Sequence, residues 1–375
     1  MHSQHILHII SFDVPYPPDY GGVIDVFFKI KALHAHGVRV HLHCFEYGRS
    51  PKIELEALCE SVHYYPRSTS KSLLFDDLPY IVLSRSSTEL RQRLLEDAHP
   101  ILMEGLHSTL LLNDPAFFSR KCIVRAHNVE HDYYENLAKV EKRFFKRFYF
   151  KKETNKLRNY ESVVKRAHAI AAISPEDTAY FNSKYGNATY IPAFHPFDAC
   201  QHTEETQDFA FYHGNLAVGE NNEAALFLIE KVFDNLPYRL VIAGSRPSEE
   251  LKKAAAKKDN VQILDCLTPE EIHRHIATAK VNVLPTFQST GIKLKLLAAL
   301  FLGQQCLVNS PMVLNTGLEK LCTIANDANG FKQRLKEIFV SDGLKSEQLN
   351  ARKVILESGF SNTRNAQKLV ELIFG

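Results

Sequence analysis

Six short segments of this chain concentrate side chains that can do chemistry. The first is Pro15-Tyr16-Pro17-Pro18-Asp19-Tyr20-Gly21-Gly22. Its prolines stiffen a loop, and Gly21 and Gly22 permit close backbone approach just before a helical run from Val23. Open amides at a helix start favour an anion such as phosphate, and an ordinary turn is the alternative. The second is Arg125-Ala126-His127-Asn128-Val129-Glu130-His131, where an imidazole, an amide and a carboxylate meet. An imidazole such as that of His127 can orient a hydroxyl or exchange a proton, because histidine is the side chain that ordinarily changes charge near neutral pH; a loop capped by Asn128 is the alternative. In Glu104-Gly105-Leu106-His107, Glu104 reads either as a carboxylate for an acceptor or as a helix-start charge.

Three further segments lie in the second half. His213-Gly214-Asn215 and Ala243-Gly244-Ser245-Arg246-Pro247 each place a glycine where an apolar run stops. Arg246 suits a phosphate, or else is a solvated side chain beside a proline. Pro285-Thr286-Phe287-Gln288-Ser289-Thr290-Gly291-Ile292-Lys293-Leu294-Lys295 carries the most information. Ser289 or Thr290 can cap a helix whose first amides, with the Thr290 hydroxyl, would hold a diphosphate. Lys293 falls in the first turn, where a cation opposes the helix dipole, and a bound anion would offset that cost. A solvent-facing lysine is the plainer reading.

The elements that must position these segments alternate. Strand-length apolar runs are expected at 5–11, 37–45, 61–64, 100–103, 121–126 and 168–173, with helices at 23–36, 51–59, 87–97 and 143–166. Near-continuous apolar strands between helices indicate a parallel sheet covered on both faces. The pattern restarts at 208–213, with strands at 238–243, 261–264, 280–284 and 305–308 and helices at 221–234, 247–257, 269–278 and 291–302. A polar, proline-containing stretch at 190–207 separates the halves. The expected class is α/β, with two doubly wound, Rossmann-like domains. Ligands of such sheets bind at the carboxyl ends of the strands, where all six segments fall.

Composition narrows the function classes. Of 375 residues 45% are hydrophobic and 23% charged, and the net charge of +2 gives no global signal for nucleic acid. Seven scattered cysteines read as buried free thiols in a reducing compartment, not as a disulfide frame or zinc site. Neither a signal peptide nor a membrane-spanning run is recognisable, so the cytoplasm is the expected location. The absence of GxGxxG after either first strand argues against a nicotinamide dehydrogenase. Residues 139–158 hold nine Lys or Arg interleaved with Phe144, Phe145, Phe148, Tyr149 and Phe150. They form either a surface helix packed on the sheet or an interfacial helix making peripheral contact with anionic lipid.

In this order, the motifs resemble those of family-4 retaining glycosyltransferases. The matching stretches are the 15–22 loop, Arg-Ala-His-Asn-Val-Glu at 125–130 and Ala171-Ala172-Ile173-Ser174-Pro175-Glu176-Asp177. Tyr212-His213-Gly214-Asn215-Leu216, Val241–Ser245, Ser289–Lys295 and the closing Phe360-Ser361-Asn362 complete the set. The resemblance implies a GT-B architecture, with two domains facing each other across a cleft. It divides the chain into an acceptor domain at 1–190, a nucleotide-sugar domain at 191–358 and a tail at 359–375 that crosses back. It implies transfer of a hexose, with retention, from a nucleotide-diphosphate sugar to a glycan or lipid-linked acceptor. Neither a metal nor a further cofactor is expected. Gly21, Gly22, Thr290 and Gly291 would face the diphosphate, Lys293 would offset its charge, and His127 would lie near the transferred sugar. Gly214, Asn215 and Arg246 complete the expected donor set, and Glu104 and Asn128 are assigned to the acceptor. The family's paired glutamates would fall at 290 and 298, where this chain has Thr290 and Ala298. The second normally holds the nucleotide ribose. Asn215 stands where many members carry an arginine. An inactive binding or scaffold homologue and a nucleotide-sugar epimerase are therefore the alternatives.

Overall fold

The computed structural model describes residues 5–141, 143–201, 205–287 and 294–375. The chain divides into two compact units, one comprising residues 1–196 with 360–375 and the other residues 197–359.

The first unit contains a seven-stranded, wholly parallel sheet. Its strands are β1 (Ile6–Ser11), β2 (Arg39–Glu46), β3 (Ser61–Pro66), β4 (Ile101–Glu104), β5 (Cys122–Ala126), β6 (Ala169–Ala172) and β7 (Ala188–Tyr190), in the order β3-β2-β1-β4-β5-β6-β7. Alternation along each strand divides two cores. Leu7, Ile9, Leu102 and Ile123 point to one face, and Ile10, Ile101, Met103 and Val124 to the other. Four helices of this unit matter below: α1 (Gly21–Ala35), α2 (Glu130–Val140), α3 (Phe144–Tyr160) and α4 (Pro175–Tyr185).

The second unit repeats the plan. Strands β8 (Gln207–His213), β9 (Arg239–Ala243), β10 (Val261–Leu264), β11 (Ala279–Leu284), β12 (Gln305–Val308) and β13 (Thr323–Ile324) form a parallel sheet ordered β10-β9-β8-β11-β12-β13. Helix α5 (Gly219–Phe227) follows β8, and α6 (Leu294–Leu302) follows β11. The tail helix α7 (Asn362–Phe374) belongs to the first unit, where Ala366, Leu369 and Ile373 join the core beside α1.

Some expectations need correction. The helix expected at 51–59 is a single turn, Ile53–Glu56, because only Leu55 is buried there and little holds a longer one. The helix expected at 221–234 begins at Gly219 and passes into a π turn at Leu228–Val232. The short strands β7 and β13 carry too few apolar residues to announce themselves. Among the cysteines, Cys266 is exposed, whereas Cys44, Cys122 and Cys306 are buried.

In both sheets the strand order reverses once, between β1 and β4 and between β8 and β11. At such a switch point adjacent strand exits diverge and leave a crevice for a ligand.

Candidate functional site

At the switch point of the first unit lies a buried charge network. Helix α1 carries Asp25 and Lys29 one turn apart on the face that buries Val26, Ile30 and Leu33. Strand exits supply Glu104 from β4 and His127 just after β5, and β5 itself supplies Arg125. Asp25, Lys29, Glu104 and Arg125 are all inaccessible to solvent. Lys29 Nζ lies 2.8 Å from Asp25 Oδ2 and 2.7 Å from Glu104 Oε1. Arg125 donates to both Asp25 oxygens, at 2.8 and 3.1 Å. Its remaining donors reach the carbonyls of Ile191 at 2.5 Å and Pro192 at 3.0 Å. Burial alone would raise the Asp25 carboxyl, but Arg125 and then Lys29 hold it well below the usual carboxylate range. Two buried anions are thus matched by two buried cations, the arrangement under which buried charge is tolerated. Asp25, Glu104 and His127 lie close enough to share a metal ion, but such an ion would compete with Lys29 and Arg125 for the same oxygens.

His127 is the solvent-side end of this network. Its Nε2 lies 2.9 Å from Glu104 Oε2, so the carboxylate accepts and selects the Nε2–H tautomer. Nδ1 is left with no hydrogen-bond partner among the described residues, free to accept a hydrogen bond. The Phe12 ring meets His127 edge-on at 5.5 Å and lies 5.3 Å from the His107 ring. His107 Nδ1 is buried without a partner. Burial, with Arg85 and His127 adding to it, keeps that imidazole well below its ordinary pKa and therefore neutral.

The glycine loop closes over Phe12. Asp13 accepts from the Val14 amide at 2.9 Å and from the Tyr20 hydroxyl at 2.8 Å. Arg49 donates to the carbonyls of Val14 and Pro17 at 2.9 and 2.8 Å and pairs with Asp19. The Tyr16–Pro17 bond is cis. Gly21 is exposed at the first position of α1. A Cβ on Gly22 would stand 2.6 Å from the Phe12 ring, so only glycine fits there without moving Phe12.

Two residues assigned to an acceptor are already occupied. Glu104 is wholly buried and divided between Lys29 and His127. Asn128 hydrogen-bonds the Glu130 carboxyl, which burial pushes up to about 7.

At the switch point of the second unit, Gly214 and Gly244 leave adjacent strands so close that a Cβ on Gly244 would overlap the Gly214 carbonyl. Exposed Asn215 accepts from the Ala217 amide at 3.1 Å and from the Ser245 hydroxyl at 3.3 Å. Arg246 is exposed, with a left-handed φ of 55° and its amide 3.3 Å from Asp265 Oδ1. Past β11, Thr286 donates to Glu220 at the start of α5, and Asn309 bridges the Thr286 amide and carbonyl at 3.0 and 2.7 Å. Lys295 reaches Asn221 Oδ1 at 2.8 Å and lies over the Tyr212 ring at 5.3 Å. Thr290, Gly291 and Lys293 lie outside the described residues. Ala298 sits on α6, 7% exposed, and offers only a methyl group.

The structure therefore brings Gly22, Glu104 and His127 to one switch point, and Gly214, Asn215 and Arg246 to strand exits at the other. Sequence reasoning missed Asp25, Lys29, Phe12, Glu220 and Lys295. Asp25 and Lys29 do leave a trace: two opposite charges four residues apart within an otherwise apolar helix stripe.

No family model matches the chain. It is 27% identical over 311 residues to an uncharacterized 44.6 kDa protein in the cps region of Klebsiella pneumoniae, covering 78% of this chain and 79% of that one. Among solved structures, TarM superposes with a TM-score of 0.68 at 10% identity, covering 100% of this chain and 99% of TarM. Alr3699/HepE of Anabaena, solved with UDP and glucose, gives 0.66 at 10% identity over 98% of each chain. WaaG, a glycosyltransferase involved in lipopolysaccharide biosynthesis, gives 0.61 at 16% identity over 98% of this chain and all of WaaG. The chain has the two-domain GT-B fold of α/β glycosyltransferases.

Proposed function

We propose that this chain is a retaining glycosyltransferase that moves a hexose from a nucleotide-diphosphate sugar to a glycan or lipid-linked acceptor. The observation that carries the reading is His127. Buried ion pairs hold it at a switch point beside the glycine loop, with Nδ1 unused. In this reading the amides at Gly21 and Gly22 face the donor diphosphate together with Thr290 and Gly291, and Lys293 offsets the charge that grows as the sugar–diphosphate bond breaks. Gly214, Asn215 and Arg246 hold the nucleotide side of the donor. His127 Nδ1 accepts a hydrogen bond from a hydroxyl of the transferred sugar. Glu104 serves as a positioning residue for His127, and Asn128, whose amide has a second N–H and an oxygen beyond its bond to Glu130, acts on the acceptor side. No metal ion or further cofactor takes part. A uridine nucleotide is the first donor to test, because the structural neighbour HepE holds UDP and glucose.

Calorimetry with UDP, GDP and their hexose conjugates, followed by release of free nucleotide, tests the proposal. Binding is expected, with turnover falling by about 10²-fold or more in His127→Ala and Lys293→Ala. Full turnover in both variants would remove the assigned roles. Ala298 favours a second reading, a homologue that keeps the fold without catalysis. Absence of binding at millimolar nucleotide would decide for it.

A further inference from the structure

The helical hairpin of α2 and α3 ends in an apolar tip that no described residue of its own unit covers. Phe144, Phe145 and Phe148 are 66%, 86% and 62% exposed, and Val140 beside them is 43% exposed. Large exposed aromatics in one cluster are costly in water unless something covers them. The cluster is ringed by predominantly positive charge. Lys139, Arg143, Lys146, Arg147, Lys151 and Arg158 are exposed along the hairpin, against the partly covered Glu135 and Glu141. Those two acids pair with Lys139, Arg158, Arg143 and Lys146. Arg147 and Lys151 make no ion pair among the described residues. They lie one turn apart, next to the Phe144–Phe148 stripe, and line a groove of about 570 Å³ between the two helices. Lys139 and Arg158 also line it, together with Glu135, which pairs with both, so four cations and one carboxylate face a space of headgroup size and Arg147 and Lys151 carry the excess positive charge.

We infer that this hairpin tip docks on a bilayer of anionic phospholipid. The phenylalanines enter the boundary between headgroups and acyl chains, and the groove between the helices receives a lipid phosphate. Charge complementarity selects this occupant. A neutral protein partner would leave the excess of cations uncompensated, and a nucleic acid would leave the exposed phenylalanine rings in water. No described helix is long and apolar enough to cross a membrane, so the contact is peripheral. The inference does not depend on the proposed transfer reaction, and its test needs no turnover.

The full chain is sedimented with vesicles of phosphatidylcholine alone and of equimolar phosphatidylcholine and phosphatidylglycerol. Binding to the anionic vesicles is expected to weaken at high salt, and neutral vesicles should bind at least tenfold less. Charge reversal in Arg147→Glu with Lys151→Glu should weaken binding by tenfold or more, since each basic side chain near the surface contributes roughly fivefold. The triple variant Phe144→Ser, Phe145→Ser, Phe148→Ser should lose it, while an unchanged thermal midpoint confirms that these exposed positions do not hold the fold. The chain contains no tryptophan, so Phe145→Trp provides a single reporter whose emission should move to the blue on anionic vesicles. Equal binding to neutral and anionic vesicles, wild-type binding by the triple serine variant, or an unshifted indole emission from vesicle-bound Phe145→Trp protein would each overturn the inference. So would duplex DNA competing for the surface as strongly as anionic lipid does.

Discussion

At the scale of single residues, the question is which members of the buried network hold the fold and which serve the site. Lys29 and Arg125 each neutralise a carboxylate that has no access to water. Removing one strands a buried charge, so Lys29→Met and Arg125→Met are each expected to cost about 3–5 kcal/mol in urea unfolding. His127 lies at the edge of the network, and His127→Ala should cost no more than about 1 kcal/mol while abolishing most turnover. Glu104→Gln separates the two roles. The side chain keeps its shape but no longer fixes the Nε2–H tautomer of His127 or matches Lys29. A positioning role predicts a fall in kcat of roughly tenfold or more, with KM for the donor nearly unchanged and the pH profile of kcat shifted. A fall confined to KM would show instead that Glu104 supports binding. The sequence alone suggests that Glu104 faces an acceptor, because a carboxylate at a strand end usually meets solvent. Its inward turn is set by Lys29, 75 positions away in the chain, and no local pattern records that pairing.

At the scale of elements, the strand exits account for why the sites stand where they do. Gly22, in the first turn of α1, packs against Phe12, and Phe12 touches both His127 and His107. Gly22→Ala places a methyl group 2.6 Å from the Phe12 ring, which must then tilt toward the histidines. Nucleotide affinity or turnover is expected to fall about tenfold with a stability loss of about 1 kcal/mol, measured by calorimetry and thermal unfolding. Phe12→Leu in the same chain should restore part of the loss by making room, and failure of that rescue would remove Phe12 as the link. The exits themselves were legible in the sequence. Strands buried on both faces read as continuous apolar runs, and β4, β5 and β6 have no exposed residue. Strand order was not legible, because pairing in a parallel sheet joins segments far apart in the chain. Ile10, for example, lies beside Met103. Without that order, the exits at Gly22, Glu104 and His127 are three loops; with it, they are one crevice edge.

At the scale of the whole molecule, the histidines set how stability follows pH. On one face of the first sheet, His8, His41, His43 and His63 stack at ring separations of 5.1–5.3 Å. Asp97 accepts from His8 Nε2 at 2.9 Å, so His8 Nδ1 must accept from His43 Nε2 at 2.9 Å, and His43 Nδ1 from the Tyr65 hydroxyl at 2.8 Å. One tautomer is thereby propagated across three strands, with Arg120 bonded to Asp97 at its end. Protonating either inner imidazole would break the chain and set charge against its neighbours. Burial pushes the His8 pKa down to about 4, although Asp97 opposes it, and burial with His8 and His63 keeps His43 well below its ordinary range. In the same sense, burial and Arg85 lower His107, and burial and Lys295 bring His213 down to about 3. A base depressed in the folded state lets the unfolded chain bind more protons below about pH 6.5, so stability is lost as pH falls from there toward 4. Glu130, raised by burial to about 7, and Asp177, raised by burial to about 6, act oppositely and cost stability as pH rises through those values. These four lowered histidines outweigh two carboxyls between pH 5 and 6.5, each proton contributing a slope of about 1.4 kcal/mol per pH unit. The urea midpoint should therefore be clearly lower at pH 5 than at pH 7. In His8→Gln, whose amide can still donate to Asp97 and whose oxygen can still accept from His43, the slope between those values should shrink by about one proton. A midpoint at pH 5 equal to that at pH 7 would mean that the stacked imidazoles already carry charge in the folded protein.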